Sequence, residues 1–137
     1  MFKPHIHPIR IYYEDTDAGG IVYHANYLKF AERARTELLR FLGYDHQRVK
    51  QEFNLILVVR HVEIEYYAPA RLDDALEVRT QPTKIGNTSI GLKQSIYKDE
   101  KLLADIKVTV VAISPEGKAL RLPPHLRQIF GSQTPAK

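Results

Sequence analysis

Two carboxylates and two glycines stand together in Tyr12-Tyr13-Glu14-Asp15-Thr16-Asp17-Ala18-Gly19-Gly20-Ile21-Val22-Tyr23-His24-Ala25-Asn26-Tyr27. The stretch reads as an extended run, a Gly-Gly turn and the start of a long helix. Glycines lack the side chains that keep a ligand off the backbone. The first turn of a helix carries unpaired N–H groups and about half a positive elementary charge. Such an end holds an oxyanion, and Asp17 lies within reach of whatever binds there. A carboxylate beside helix N–H donors suits acyl transfer. The donors polarise a thioester carbonyl and stabilise its oxyanion, while the carboxylate attacks or activates water. One such donor contributes roughly 2.7–4 kcal/mol to transition-state stabilisation. A thioester suits the site because its thiolate leaves without strong acid assistance.

Other chemistries fit less well. Asp15, Asp17 and Gly20 match the first, third and sixth positions of a calcium loop. The match then fails, because the fifth position is Gly19, with no side-chain oxygen, and the twelfth is Asn26 rather than a bidentate Glu. Asp15 and Asp17 also suit plain turn formation and pairing with a helix dipole. His5 and His7 would point the same way on a strand, but nothing else completes a metal site there. The chain has no cysteine, no Gly-x-Ser-x-Gly elbow and no Walker or Rossmann glycine pattern. Thiol and serine nucleophiles, cysteine-ligated metals and nucleotide hydrolysis are therefore disfavoured.

The elements that must position these residues follow from periodicity. Ile6 to Tyr13 reads as a first strand, rich in Ile and Tyr. A helix is predicted over about 24–42. Tyr27, Ala31, Ala34, Leu38 and Phe41 or Leu42 share one face of it, and Lys29, Arg33, Thr36 and Arg40 the other. Asn26 is its expected N-cap and Gly43 its left-handed C-terminal cap. Asp45 to Glu52 reads as a short polar helix or turn. Strands of period two follow. Val58, Val62, Ile64 and Tyr66 oppose His61, Glu63 and Glu65, and Pro69 ends that strand. Leu76, Val78 and Thr80 alternate with Glu77, Arg79 and Gln81. Ile90, Leu92 and Ile96 alternate with Lys93, Ser95 and Tyr97, and Ile106, Val108, Val110 and Ala112 with Asp105, Lys107 and Thr109. Gly86-Asn87 and Lys98-Asp99-Glu100 read as hairpin turns. A helical turn is expected near Leu126–Phe130. The pattern is α+β, with one long apolar-faced helix against one antiparallel sheet.

With 137 residues, the chain is expected to form one domain over 1–130, able to bury roughly two-thirds of its unfolded surface, with a disordered tail over 131–137. A formal charge of +4 and a pI near 9.3 are mildly basic. The basic residues are scattered and lack interleaved aromatics, so nucleic acid is not an expected partner. Arg60, Arg71 and Lys84 are the charge candidates for a phosphorylated ligand. Residues 1–10 lack an apolar core of signal-peptide length, and no apolar run is long enough to span a bilayer. The expectation is a soluble, cytoplasmic protein.

The run Tyr13, Asp15, Thr16, Asp17, Gly20, Val22, Tyr23, His24, Asn26, Tyr27, Phe30, Glu32, Arg33, Ala34, Arg35 closely resembles the signature of hot-dog-fold acyl-CoA thioesterases of the 4-hydroxybenzoyl-CoA thioesterase type. Among these it looks most like the bacterial thioesterases associated with the Tol-Pal cell-envelope system. Weaker echoes at Tyr67-Ala68-Pro69-Ala70 and Asp73-Asp74 carry the resemblance across most of the chain. It implies a five-stranded antiparallel sheet wrapped around one long central helix. It also implies hydrolysis of an acyl-CoA, or of an acyl group on a carrier protein, without cofactor or metal. By resemblance Asp17 is the catalytic carboxylate, as nucleophile or general base. The backbone N–H of His24 polarises the thioester, its imidazole assists, and Tyr13 matches an active-site tyrosine. Gly20, Val22, Tyr23 and Ala25 shape the loop that meets substrate, and Asp15 orients the turn. Homodimers or tetramers with sites between subunits, and peripheral association with envelope machinery, belong to the same implication. Two other functions share the constellation: a 3-hydroxyacyl-thioester dehydratase, and a non-catalytic module that binds an acyl carrier or envelope partner.

Overall fold

The computed structural model describes residues 4–132. Strand β1 (His5–Arg10) comes first, followed by one turn of 3-10 helix (Tyr13–Asp15), α1 (Asn26–Phe41) and α2 (His46–Phe53). Strands β2 (Ile56–Tyr66), β3 (Ala75–Ile85), β4 (Ser89–Lys98) and β5 (Lys101–Ile113) follow, and α3 (Pro124–Gly131) closes the chain. The strands form one sheet in the order β1-β3-β4-β5-β2, and every neighbouring pair is antiparallel. Gly131 is the last residue of α3, and residues 133–137 of the expected tail lie outside the described residues.

The apolar alternation expected of β3, β4 and β5 is the alternation found. Leu76, Val78, Ile90, Leu92, Ile96, Ile106, Val108, Val110 and Ala112 all face the core. The helical face behaves likewise, with Tyr27, Phe30, Ala31, Ala34, Leu38 and Leu39 buried. Of the two candidates at its end, Leu42 packs on the core and Phe41 is exposed. The helix stops as expected. Gly43 adopts φ +95°, the Tyr44 N–H reaches the Leu39 carbonyl, and the Gly43 N–H reaches Arg40. This is the Schellman pattern, which needs a left-handed residue at that position.

Three expectations are corrected. The first strand ends at Arg10 rather than Tyr13, because its partner β3 begins at Ala75, opposite Arg10. Beyond that point the Tyr12 N–H turns to the Asp15 carboxylate, and the chain coils. Asn26 is not the N-cap: Ala25 holds that position without a side-chain bond, and the Asn26 amide is drawn instead to Asp15. In β2 the register shifts between Val59 and His61. One extra residue reverses the faces on either side of it. Val59, opposite the buried Val110, therefore joins Val62, Ile64 and Tyr66 on the core side, and Val58 falls on the other.

Gln94 is a polar residue in the middle of this core, fully buried between Leu92 and Ile96. Its Nε2 donates to the Ala31 carbonyl (2.9 Å) and to Thr80 Oγ1 (3.1 Å), and its Oε1 accepts from Arg35 (2.9 Å). The small Ala31 lets α1 come close enough to β4 for that bond. Burial lowers the Arg35 pKa, and the Glu32 carboxylate partly offsets this. We expect Gln94→Leu, close in size, to remove the bonds to all three partners and cost about 1–3 kcal/mol of stability, read by urea unfolding.

Candidate active site

The loop between β1 and α1 is built on Asp15, not on Asp17. Asp15 is only 6% exposed, and both of its carboxylate oxygens are used. Oδ2 accepts the Tyr12 N–H (2.8 Å) and Oδ1 accepts the Asn26 side-chain amide (3.0 Å). Its backbone carbonyl accepts the Tyr23 N–H (2.9 Å). One buried acid thus ties the exit of β1, the return of the loop and the first residue of α1 together. A single antiparallel bridge, Thr16 to Val22, closes the loop below its tip.

Asp17 stands at that tip and is exposed. Its backbone N–H donates to the Ile21 carbonyl (2.9 Å), and its own carbonyl accepts from Gly20 (3.0 Å). Side-chain Oδ1 accepts the Gly19 N–H at 2.8 Å, while Oδ2 has no partner among the described residues. The two glycines have separate reasons to be there. Gly20 sits at φ +80°, a region L side chains rarely adopt. A Cβ on Gly19 would lie 3.2 Å from Asp17 Oδ1 and crowd the carboxylate.

The loop leads into the entry to α1. Among the described residues, the N–H groups of His24 and Ala25 have no hydrogen-bond partner. Both belong to the positive end of the helix. The His24 imidazole is exposed, with its ring centroid 4.7 Å from that of Tyr23 and 6.4 Å from that of Tyr66. Tyr66 Oη donates to the His24 carbonyl (2.7 Å). Tyr27, inside the helix, accepts the Ala70 N–H on its hydroxyl (3.0 Å), and the Ala70 carbonyl accepts from Val22 (2.9 Å). Burial raises the pKa of Tyr27, the Ala70 N–H lowers it in part, and the Asp74 carboxylate adds to the rise.

The residues singled out from the sequence sit as follows. Asp17, Gly20, Tyr23, His24 and Ala25 are all on the loop and helix entry. Val22 turns its side chain into the core, so it gives the site an anchored backbone. Tyr13 is 83% exposed, and its hydroxyl bonds to nothing among the described residues, Asp17 and His24 included. No hydrogen bond joins the Asp17 carboxylate to the His24 imidazole among those residues. A cavity of about 440 Å³ lies further along α1, between Leu38 and Leu39, Leu57 and Val59 of β2, and Ile90 and Val110, with Arg35 on its wall. No residue of the 12–27 loop lines it.

The thioesterase-like superfamily profile matches residues 12–130, most of the chain. The chain belongs to the thioesterase-like superfamily. It is 50% identical over 109 residues to the acyl-CoA thioester hydrolase YbgC of Escherichia coli O6:H1, covering 79% of this chain and 81% of the relative. It is 40% identical over 124 residues to the acyl-CoA thioesterase YbgC of Haemophilus influenzae, covering 90% and 91%. The crystal structure named Probable Thioesterase from Bartonella henselae superposes with a TM-score of 0.85 at 37% identity, covering 88% of this chain and 99% of that one.

In this thioesterase-superfamily chain, two residues hold the site in ways that their type and spacing do not announce. By residue type Asn26 suits a cap, but its amide is bound by Asp15, eleven positions earlier. By periodicity Tyr66 is one member of an apolar strand face. Its place four residues before Ala70, in the segment that returns to the loop, was the available signal. Of the charge candidates, Arg71 forms a bridge to Ile21 beside the loop, whereas Arg60 and Lys84 line a groove with Lys93 and Lys107.

Proposed function

We infer that the chain is an acyl-CoA thioester hydrolase that works through Asp17 and the entry to α1. Acyl-CoA thioester hydrolysis is the activity named for relatives 40–50% identical over most of both chains. The observation that supports the site is the unsatisfied polar groups of this segment: among the described residues, one Asp17 carboxylate oxygen and the N–H groups of His24 and Ala25 at the helix start have no hydrogen-bond partner. The thioester carbonyl oxygen takes the His24 N–H, with Ala25 beside it. Asp17 then attacks the carbonyl carbon or removes a proton from the attacking water. The C–S bond breaks as the tetrahedral oxyanion collapses, the thiolate leaves with the coenzyme, and water supplies the second oxygen of the acid. The His24 imidazole and the Tyr13 hydroxyl serve proton transfer and orientation, while Gly20, Val22, Tyr23 and Ala25 shape the approach.

The proposal extends to assembly. The sheet curls around α1 as a hot-dog fold, and the chain works as a dimer or tetramer. β2 lies at the edge of the sheet, and its core-side Val59, Val62 and Tyr66 remain 45%, 40% and 42% exposed. An apolar edge of that kind calls for a partner strand, and a second copy supplies one. Acyl carrier protein as an alternative thioester donor, and association with Tol-Pal envelope machinery from the cytoplasmic side, follow the resemblance. Among the described residues no helix is long and apolar enough to cross a membrane.

The test is thiol release by purified protein from acetyl-, butyryl-, palmitoyl- and 4-hydroxybenzoyl-CoA. Free thiol from at least one class is the expected outcome. Consumption of a 3-hydroxyacyl-CoA by loss of water, with no thiol released, would replace hydrolysis by dehydration. Binding without turnover of any of them would leave a carrier-binding module.

A further inference from the structure

We propose that Tyr66 is a positioning residue for the reaction, holding through its hydroxyl the peptide units that present N–H groups to the thioester oxygen. The inference rests on the reading of Asp17 and the α1 entry given above. It starts from an irregularity in the helix. The Asn26 N–H bonds to the Tyr23 carbonyl (2.9 Å) and the Leu28 N–H to Ala25 (3.2 Å), both three-residue steps. Those steps pass over the His24 carbonyl between them. Tyr66, 42 residues away at the end of β2, supplies the missing donor at 2.7 Å.

The consequence follows from peptide geometry. A trans peptide is planar, with its C=O and N–H on opposite sides. Holding the His24 oxygen therefore aims the Ala25 N–H away from Tyr66 and fixes ψ of His24. On the other side of His24, the Tyr23 carbonyl is held by Asn26, which orients the peptide unit that carries the His24 N–H. With both flanking units held, the two free N–H groups keep one direction before substrate arrives. Donors aimed in advance contribute to the transition state without reorganising during reaction.

Tyr66 is itself well placed for this work. Its ring meets Tyr27 edge-on at 5.3 Å, and the Tyr27 hydroxyl is tied to Ala70. Burial, with Tyr27 alongside, raises the Tyr66 pKa, so the hydroxyl keeps the proton it donates. The Tyr66 hydroxyl is committed to the His24 carbonyl, which makes the role one of geometry.

The test is Tyr66→Phe, which keeps the ring and removes the donor. Expected are a fall in kcat of about tenfold or more with KM within about twofold of wild type, and circular dichroism and oligomeric state unchanged. A second readout separates positioning from general packing. In Asp17→Asn protein, expected to hold an acyl-CoA long enough for measurement because its turnover is slowed, the infrared band of the bound thioester carbonyl should lie below that of the free thioester. In Asp17→Asn/Tyr66→Phe protein it should move back towards the free value. Wild-type activity that survives Tyr66→Phe, or a loss of kcat with the carbonyl band unmoved, would overturn the proposal alone. Wild-type protein that hydrolyses no thioester would overturn the underlying reading and this proposal with it.

Discussion

Asp17→Asn is expected to lower kcat for acyl-CoA hydrolysis by about 10²- to 10⁴-fold, the range that an acid–base group commands, and by more if the carboxylate is the nucleophile. Asn keeps the shape and the oxygen that accepts the Gly19 N–H, so the turn at the loop tip survives. What it lacks is the second carboxylate oxygen and the charge, an oxygen without a partner among the described residues. Substrate affinity should hold or improve slightly, because the N–H donors of His24 and Ala25 are untouched and a negative charge near the acyl group is gone. Melting temperature should change little, since Asp17 is exposed. Steady-state kinetics beside a binding isotherm for the intact thioester would check this. An equal loss in binding would mean that Asp17 holds substrate and does not act on it.

Asp15→Ala has the second-largest expected effect, and it acts by a different route. The side chain is buried and accepts two hydrogen bonds. Removing it leaves the Tyr12 N–H and the Asn26 amide without their acceptor. The Asn26 amide is buried and the Tyr12 N–H part-buried, and an unsatisfied buried donor costs about 1–3 kcal/mol. Stability should fall by roughly that range or somewhat more, and activity should fall with it because the loop loses its attachment to α1. Asp15→Asn offers no rescue, since its amide nitrogen would face one of two donors. Chemical denaturation together with kcat at a temperature well below the transition separates the two losses. An Asp15→Ala protein of wild-type stability would contradict the keystone role given to this residue.

The two aspartates show how far residue type and spacing reach. Asp-x-Asp before Gly-Gly was enough to mark a carboxylate carried into a turn near a helix start. The separation of roles, one acid buried as a clamp and the other free, depends on which side chain the loop turns inward, and spacing does not encode that. The face of α1 and the strands β3 to β5 were legible because each buries one side against a continuous core, so apolar residues recur at 3.6 or at 2. β2 was legible only in part. It is an edge strand with a bulge, and one unpaired residue exchanges its faces without leaving a trace in composition. Gln94 broke the apolar alternation of β4, and its partners Ala31, Thr80 and Arg35 lie on other elements. The end of β1 was set by where β3 begins, which is also a tertiary fact. Tyr66 belongs to the same class, because its hydroxyl matters through a carbonyl that lies 42 positions earlier in the chain.

The central claim is that this loop directs water to a thioester carbonyl. Wild-type protein should be given one acyl-CoA in ¹⁸O-labelled water, with thiol and acid products counted and weighed. The account predicts one thiol and one labelled carboxylic acid for each thioester consumed, with both lost in Asp17→Asn. Unlabelled acid, disappearance of substrate with its thioester intact, or label incorporation indifferent to Asp17 would contradict it.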